Sequence, residues 1–239
     1  MSLLRKHFES KNVYIVGSAP NIDHSAFTKS MSIVCVNGSL ANLDHSMRTM
    51  CRVLVVDNEL LNPATRRIKH NRGVVDMIYN SGLHVELVIS SPSNNDLGGS
   101  VATLGVSCER ELRLTRVMRR NIVRYATNDH LVESGFASLL STGGFAIALS
   151  RFLGAASITL AGFGLYQGLD EEDAPHFYAE QEIETTIKTE IKSASTSTGR
   201  NHSLADIYLI TRLVILGMPI HSSILSYKPF LSNWGYRNN

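Results

Sequence analysis

The sequence predicts an α/β fold: a mostly parallel sheet with helices on both faces. Three observations carry that expectation. Short apolar runs rich in β-branched residues recur along the chain, segments with helical apolar spacing lie between them, and several runs end in small or polar residues suited to a strand-to-helix turn. The runs are NVYIVG (12–17), SIVCVN (32–37), RVLVVD (52–57), HVELVIS (84–90), NIVRYA (121–126) and SITLAG (157–162). Between two of them GGFAIALSRFL (143–153) repeats Phe145, Ala148, Leu149 and Phe152 at helical spacing. In sheets of this kind ligands collect beyond the carboxyl ends of the strands, so the residues that follow each run are the ones to search.

Composition narrows the class. The chain has 239 residues and no abrupt shift in composition, which predicts one domain over 1–239. A hydrophobic share of 44%, a charged share of 18% and a net charge of +2 fit a soluble globular protein and give no whole-molecule case for a nucleic-acid partner. Cys35, Cys51 and Cys108 are odd in number and widely spaced, and so predict buried thiols in a reducing cytosol. No apolar run approaches the roughly 20 residues of a membrane span, and MSLLRKHFESK lacks a signal-peptide core, so a cytoplasmic location is expected.

One basic stretch stands apart. ERELRLTRVMRRNIVR (109–124) gathers Arg110, Arg113, Arg116, Arg119, Arg120 and Arg124 on a predicted helix. It reads either as a solvated helix face or as a contact for an anionic partner, such as phospholipid at the inner face of the membrane or an acidic glycan.

The strand exits carry the chemistry. In GSAPNI (17–22), Gly17 lets a backbone approach a ligand, while Ser18 and Asn21 offer side-chain hydrogen bonds or caps. The loop lacks the glycine pattern of a dinucleotide fingerprint, and the chain has no Walker loop. VCVNGS places Asn37, Gly38 and Ser39 at the second exit, and VLVVDNE places Asp57, Asn58 and Glu59 at the third. Three polar exits predict a shared pocket. Asp57 and Glu59 also form a D-x-E element like that of metal-dependent UDP-sugar transferases, the alternative being a helix cap.

Further on, Ser141, Thr142, Gly143 and Gly144 open a helix whose free amides and dipole suit a phosphate or carboxylate. The next strand leads to Tyr166, either a donor to a phosphate oxygen or a packing residue. GRNHSLADIYLI (199–210) then sets His202 before a helix beginning near Ser203.

In this order, IVGSAPNI, VCVNG, VVDN, STGG, ITLAGFGLYQG and HSLAD resemble the bacterial sialyltransferases that use CMP-activated sugars, over roughly residues 12 to 220. The resemblance implies a variant Rossmann-like, GT-A-like domain. It implies that Ser18 stands where a nucleotide-contacting asparagine is usual, that Asn37 binds the donor, and that Asp57 or Asn58 lies near it. Ser141, Thr142 and Gly143 match a Thr-Ser-Gly loop around the donor phosphate and cytidine, and Tyr166 matches a tyrosine on the leaving phosphate. His202 matches the catalytic base, whose near-neutral pKa suits it to take the acceptor hydroxyl's proton. Asp206 either orients that base or complements the helix dipole as a first-turn acid.

Some positions depart from the pattern. Ser18 and Ala19 replace an Asn-Gly pair, Gly38 replaces a polar residue, and the histidine-to-aspartate spacing is one shorter. The second phosphate-bonding phenol comes only at Tyr178, after the acids Asp170, Glu171, Glu172 and Asp173, with His176 as another candidate. Residues 188–200, polar and ending in Arg200, are expected to be a mobile lid over the donor.

The expectation is an inverting glycosyltransferase that moves a nonulosonic or related acid (sialic acid, Kdo or similar) from a CMP-sugar to a glycan or glycolipid acceptor. It would need no cofactor and no obligatory metal, and a homo-oligomer is open. The alternatives are a pterin diphosphokinase-like enzyme using ATP and magnesium through Asp57 and Glu59, and a non-catalytic nucleotide- or glycan-binding module.

Overall fold

A computed structural model describes residues 2–18, 22–62, 75, 76, 78, 79, 82, 84–91, 101–163 and 198–222. Seven strands form one sheet: β1 (Asn12–Val16), β2 (Ser32–Val36), β3 (Cys51–Asp57), β4 (His84–Ser91), β5 (Ser107–Arg113), β6 (Ser157–Ala161) and β7 (Ile220–Ser222). Their spatial order is β5-β4-β3-β2-β1-β6-β7, and every pairing is parallel. The order runs outward from β1 in both directions, so β1 and β6 flank the topological switch point of the sheet.

β1 to β4 and β6 are buried on both sides, as their continuous apolar runs require. Alternate residues feed two cores. Val13, Ile15, Val34, Val53, Val55 and Ile89 pack on one face, while Tyr14, Val16, Ile33, Leu54, Val56 and Val88 pack on the other. The first face is covered by α2 (Arg116–Thr127), α3 (Thr142–Phe152) and α4 (Thr198–Ile215). The second is covered by the 3-10 turn Asn37–Asn42, by α1 (His45–Met50) and by shorter pieces around Leu60, Ile78 and Leu104. Among the described residues no helix is long and apolar enough to cross a membrane.

The segment 107–127 departs from the sequence reading. Residues 121–126, expected as a strand, belong to α2, and the start of the expected Arg-rich helix is strand β5. β5 is an edge strand with charged, mostly exposed residues, so it lacks the apolar run that marks the inner strands. Arg119, Ile122, Val123 and Ala126 recur at helical spacing and are all buried, whereas Arg110, Arg113, Arg116, Arg120 and Arg124 are exposed. Arg113 pairs with Glu111, and Arg124 with Asp129 at 2.7 Å. The six arginines therefore do not form one solvated face. Strand β7 was not expected, being three residues long.

Cys35 and Cys51 are buried free thiols with their sulfurs 3.4 Å apart on neighbouring strands, and Cys108 is half-buried. Their wide sequence spacing hides this proximity, which follows from the β2-β3 pairing.

Candidate active site

The carboxyl ends of β1, β2, β3, β4 and β6 lie beside the N-terminus of α3 and one face of α4. At the switch point the backbones of Gly17 and Gly162 meet. Gly17 N–H donates to the Ala161 carbonyl at 2.7 Å, and a Cβ on Gly17 would lie 2.4 Å from the Gly162 oxygen. Gly162 itself has φ of +70°, which favours glycine. Gly17 thus serves strand-to-strand packing, a use that the sequence did not distinguish from ligand approach. Ser18 follows it, half-buried, and Asn21 lies outside the described residues.

The second and third exits are joined by a side chain. Asn37, in the left-handed region at φ of 50°, accepts the Asp57 N–H on its Oδ1 at 3.0 Å. Gly38 is buried, and Ser39 Oγ accepts the Val36 N–H at 2.9 Å, closing the turn between them. Asn58 is buried, and its Oδ1 has no hydrogen-bond partner among the described residues. Ser90, at the end of β4, has an equally unpartnered hydroxyl. Buried polar atoms are rarely left so, and these two lie at the carboxyl ends of β3 and β4.

At α3 the sequence reading places the helix start correctly. Ser141 is its N-cap, the Ser141 Oγ accepting the Gly144 N–H at 2.9 Å. Thr142 Oγ1 donates to Asp57 Oδ2 over 3.5 Å, a long contact that nevertheless puts the third exit beside the helix start. The amides of Thr142 and Gly143 have no acceptor among the described residues and remain available to an anion.

Ser141, however, is committed elsewhere. Its N–H donates to Asp206 Oδ1 at 3.1 Å and its hydroxyl donates to Asp206 Oδ2. With Oγ also accepting from Gly144, the hydroxyl proton is not free for a phosphate. Gly143 and Gly144 are close-packing glycines: a Cβ on the first would meet the Phe163 ring at 2.6 Å, and one on the second would meet Asp206 Oδ1 at 2.0 Å.

Asp206 also differs from expectation. Helix α4 begins at Thr198, not near Ser203, so Asp206 stands in the third turn, buried, and is no first-turn acid. Desolvation by burial raises its carboxyl pKa to about 7, against the opposing effects of the Ser141 hydrogen bonds and the Arg119 charge. The same helix is fastened further along by Tyr208, 3.1 Å from His130 Nδ1, and by Arg212, whose Nε donates to the Thr127 carbonyl at 3.3 Å. Positions 202 and 206 are one turn apart on α4, so the Asp206 anchor brings the backbone of His202 to the α3 side of the site. The side chains of His202, Arg200 and Glu59 lie outside the described residues, as do Tyr166, His176, Tyr178, the acids 170–173 and residues 188–197 of the expected lid. Residues 198–200 belong to α4.

A buried arginine completes the arrangement. Arg119 Nη1 donates to Ser91 Oγ at 3.1 Å, its Nη2 donates to the Leu140 carbonyl, and its guanidinium lies 5.0 Å from the Phe145 ring centroid. Burial lowers its pKa from the ordinary arginine value, against the opposing effects of the nearby Asp57 and Asp206 charges. The sequence carried a signal for it, because Arg119 shares the apolar stripe of Ile122, Val123 and Ala126, but the surrounding arginines masked it.

This geometry invites comparison with known structures. The monofunctional α-2,3-sialyltransferase Cst-I of Campylobacter jejuni superimposes over 94% of this chain and 78% of its own, with a TM-score of 0.55 and 13% identity. The sialyltransferase CstII of the same organism, as a variant in complex with CMP, matches over 89% of this chain and 81% of its own, at a TM-score of 0.53 and 14% identity. The chain has the sialyltransferase fold. No protein-family model and no curated protein matches the sequence. At this identity the likeness shows the fold alone, a Rossmann-like parallel sheet, and in this chain Asn37, Asp57, Thr142 and Asp206 gather at its strand exits.

Proposed function

We propose that this chain is a glycosyltransferase of the sialyltransferase kind, transferring a nonulosonic or related acid (sialic acid, Kdo or similar) from its CMP ester to a glycan acceptor. The observation that carries the reading is the convergence, on one sheet edge, of Asn37, Asp57, the N-terminus of α3 and the helix that bears His202. The shared fold with Cst-I and with CstII, the latter seen with CMP, supports it.

In this proposal the donor phosphate lies against the amides of Thr142 and Gly143, where the helix dipole and uncommitted N–H groups stabilise negative charge. The same groups stabilise the charge that develops on CMP as it leaves, together with Tyr166 and a second group, Tyr178 or His176. Asn37, Asn58 and the Ser18 loop hold the nucleotide. His202 removes the proton of the acceptor hydroxyl as it attacks the anomeric carbon from the face opposite CMP, which inverts the configuration. Hydroxyls and amides do the work that a divalent ion does in metal-dependent transferases, so no metal is required.

The test is a thermal-shift screen with CMP, CDP, UDP and ATP, each with and without magnesium. A ligand selective for the folded state raises the melting temperature by mass action. CMP is expected to raise it equally with and without magnesium. A shift confined to ATP or UDP with magnesium would remove this reading and transfer the chemistry to Asp57 and Glu59.

A further inference from the structure

The candidate site poses an electrostatic problem. A CMP-sugar acid carries negative charge on its phosphate and on its carboxylate, yet the Asp57 carboxylate stands at the third strand exit and the buried carboxyl of Asp206 lies behind the start of α3. Beside a protein surface a carboxylate repels such a donor more than it would in bulk water. Something must offset that charge.

Arg119 is placed to do so. It is 6% exposed, and its guanidinium sits between the end of β4, through Ser91, and the residue preceding the α3 cap, through Leu140. The Leu140 carbonyl that it holds is one peptide away from Ser141, whose own N–H and hydroxyl bind Asp206. Arg119, Leu140, Ser141 and Asp206 are therefore linked in one chain of hydrogen bonds beneath the turn that presents the Thr142 and Gly143 amides. Burial lowers the Arg119 pKa, the Asp57 and Asp206 charges oppose that effect, and the intrinsically high pKa of a guanidinium leaves it charged.

We propose that Arg119 is a specificity-determining and positioning residue of this site: it fixes the 140–141 turn and supplies the buried positive charge that lets a site holding the acidic residues Asp57 and Asp206 accept an anionic nucleotide. The proposal rests on the CMP reading above and deepens it. Arg119 acts through Leu140 and through its field, and is given no contact with the reacting atoms.

The experiment compares CMP with cytidine, which differ by the phosphate alone, by calorimetric titration of the wild type, Arg119→Met and Arg119→Lys. The wild type is expected to prefer CMP. Arg119→Met is expected to lose about tenfold or more of that preference, the size of one charge interaction at an effective dielectric near 20, and Arg119→Lys to retain most of it. An equal loss of CMP and cytidine binding in Arg119→Met, or as large a loss of preference in Arg119→Lys, would overturn the proposal while leaving the CMP reading intact. Failure of the wild type to bind either ligand would overturn both. Since removing a buried hydrogen-bonded arginine can prevent folding, Asp57→Asn provides a second arm with Arg119 in place. Removing the Asp57 charge is expected to raise the preference for CMP over cytidine, and an unchanged or reduced preference would contradict the charge balance.

Discussion

Asp206 shows how one buried group ties the site together and makes it sensitive to pH. Its carboxyl pKa, raised from 3.8 to about 7 by burial, means that the folded chain binds a proton the unfolded chain has released between those values. The contribution is fully present below about pH 4 and is lost as pH rises towards 7, by up to about 4 kcal/mol for an elevation of that size. Subtracting the urea-unfolding free energies of Asp206→Asn from those of the wild type across pH 4 to 8 isolates this dependence. A difference that falls with rising pH is expected, and a flat one would show that Asp206 titrates normally. The neighbouring glycine makes a steric forecast. Gly144→Ala would put a methyl 2.0 Å from Asp206 Oδ1, and is expected to destabilise the chain by ~3 kcal/mol in the same assay. These roles were not visible in the sequence. Ser141 read as a phosphate-binding hydroxyl because a polar, glycine-containing helix start looks the same whether that hydroxyl faces a ligand or a carboxylate 65 residues away.

At the level of elements, local pattern succeeds where burial is uniform and fails where it is mixed. β1, β2, β3, β4 and β6 are inner strands with unbroken apolar runs, and α3 repeats its apolar residues at helical spacing. The apolar pattern alone locates each of them. Around residues 107–127 the signals cross: β5 is an edge strand carrying charges, and α2 buries Ile122 and Val123, β-branched neighbours that resemble a strand fragment. The start of α2 is fixed by Thr115, whose Oγ1 accepts the Met118 N–H at 3.2 Å. Thr115→Ala is expected to cost about 1 kcal/mol of stability by loss of that cap, with Thr115→Ser restoring most of it. Helix α4 starts well before the position its apolar period suggests, since TSTGRNH is polar and lacks the spacing of the turns that follow. Its true start moves Asp206 from the helix end to the middle of a packed face, which removes the dipole-partner alternative and makes Asp206 an anchor to Ser141.

Across the whole molecule, the order of strand exits matters more than any single motif. Asn37, Asp57 and Thr142 are separated by long stretches of chain, and a parallel sheet with its exits on one edge is what joins them. The sequence therefore discloses the rim of the site, whereas Arg119, reached only by the packing of α2 under that rim, stays hidden among surface arginines. The proposed activity is tested most directly by incubating the wild type and His202→Ala with CMP-sialic acid and a panel of oligosaccharide acceptors without added metal, following CMP release and the sialylated product. The expected result is product formation by the wild type with EDTA present, and a loss of about a hundredfold or more in rate for His202→Ala with CMP affinity retained. Equal rates in the two proteins would contradict the assignment of His202 as the base, and a wild type that neither binds CMP nor turns over any CMP-sugar would contradict the proposed function itself.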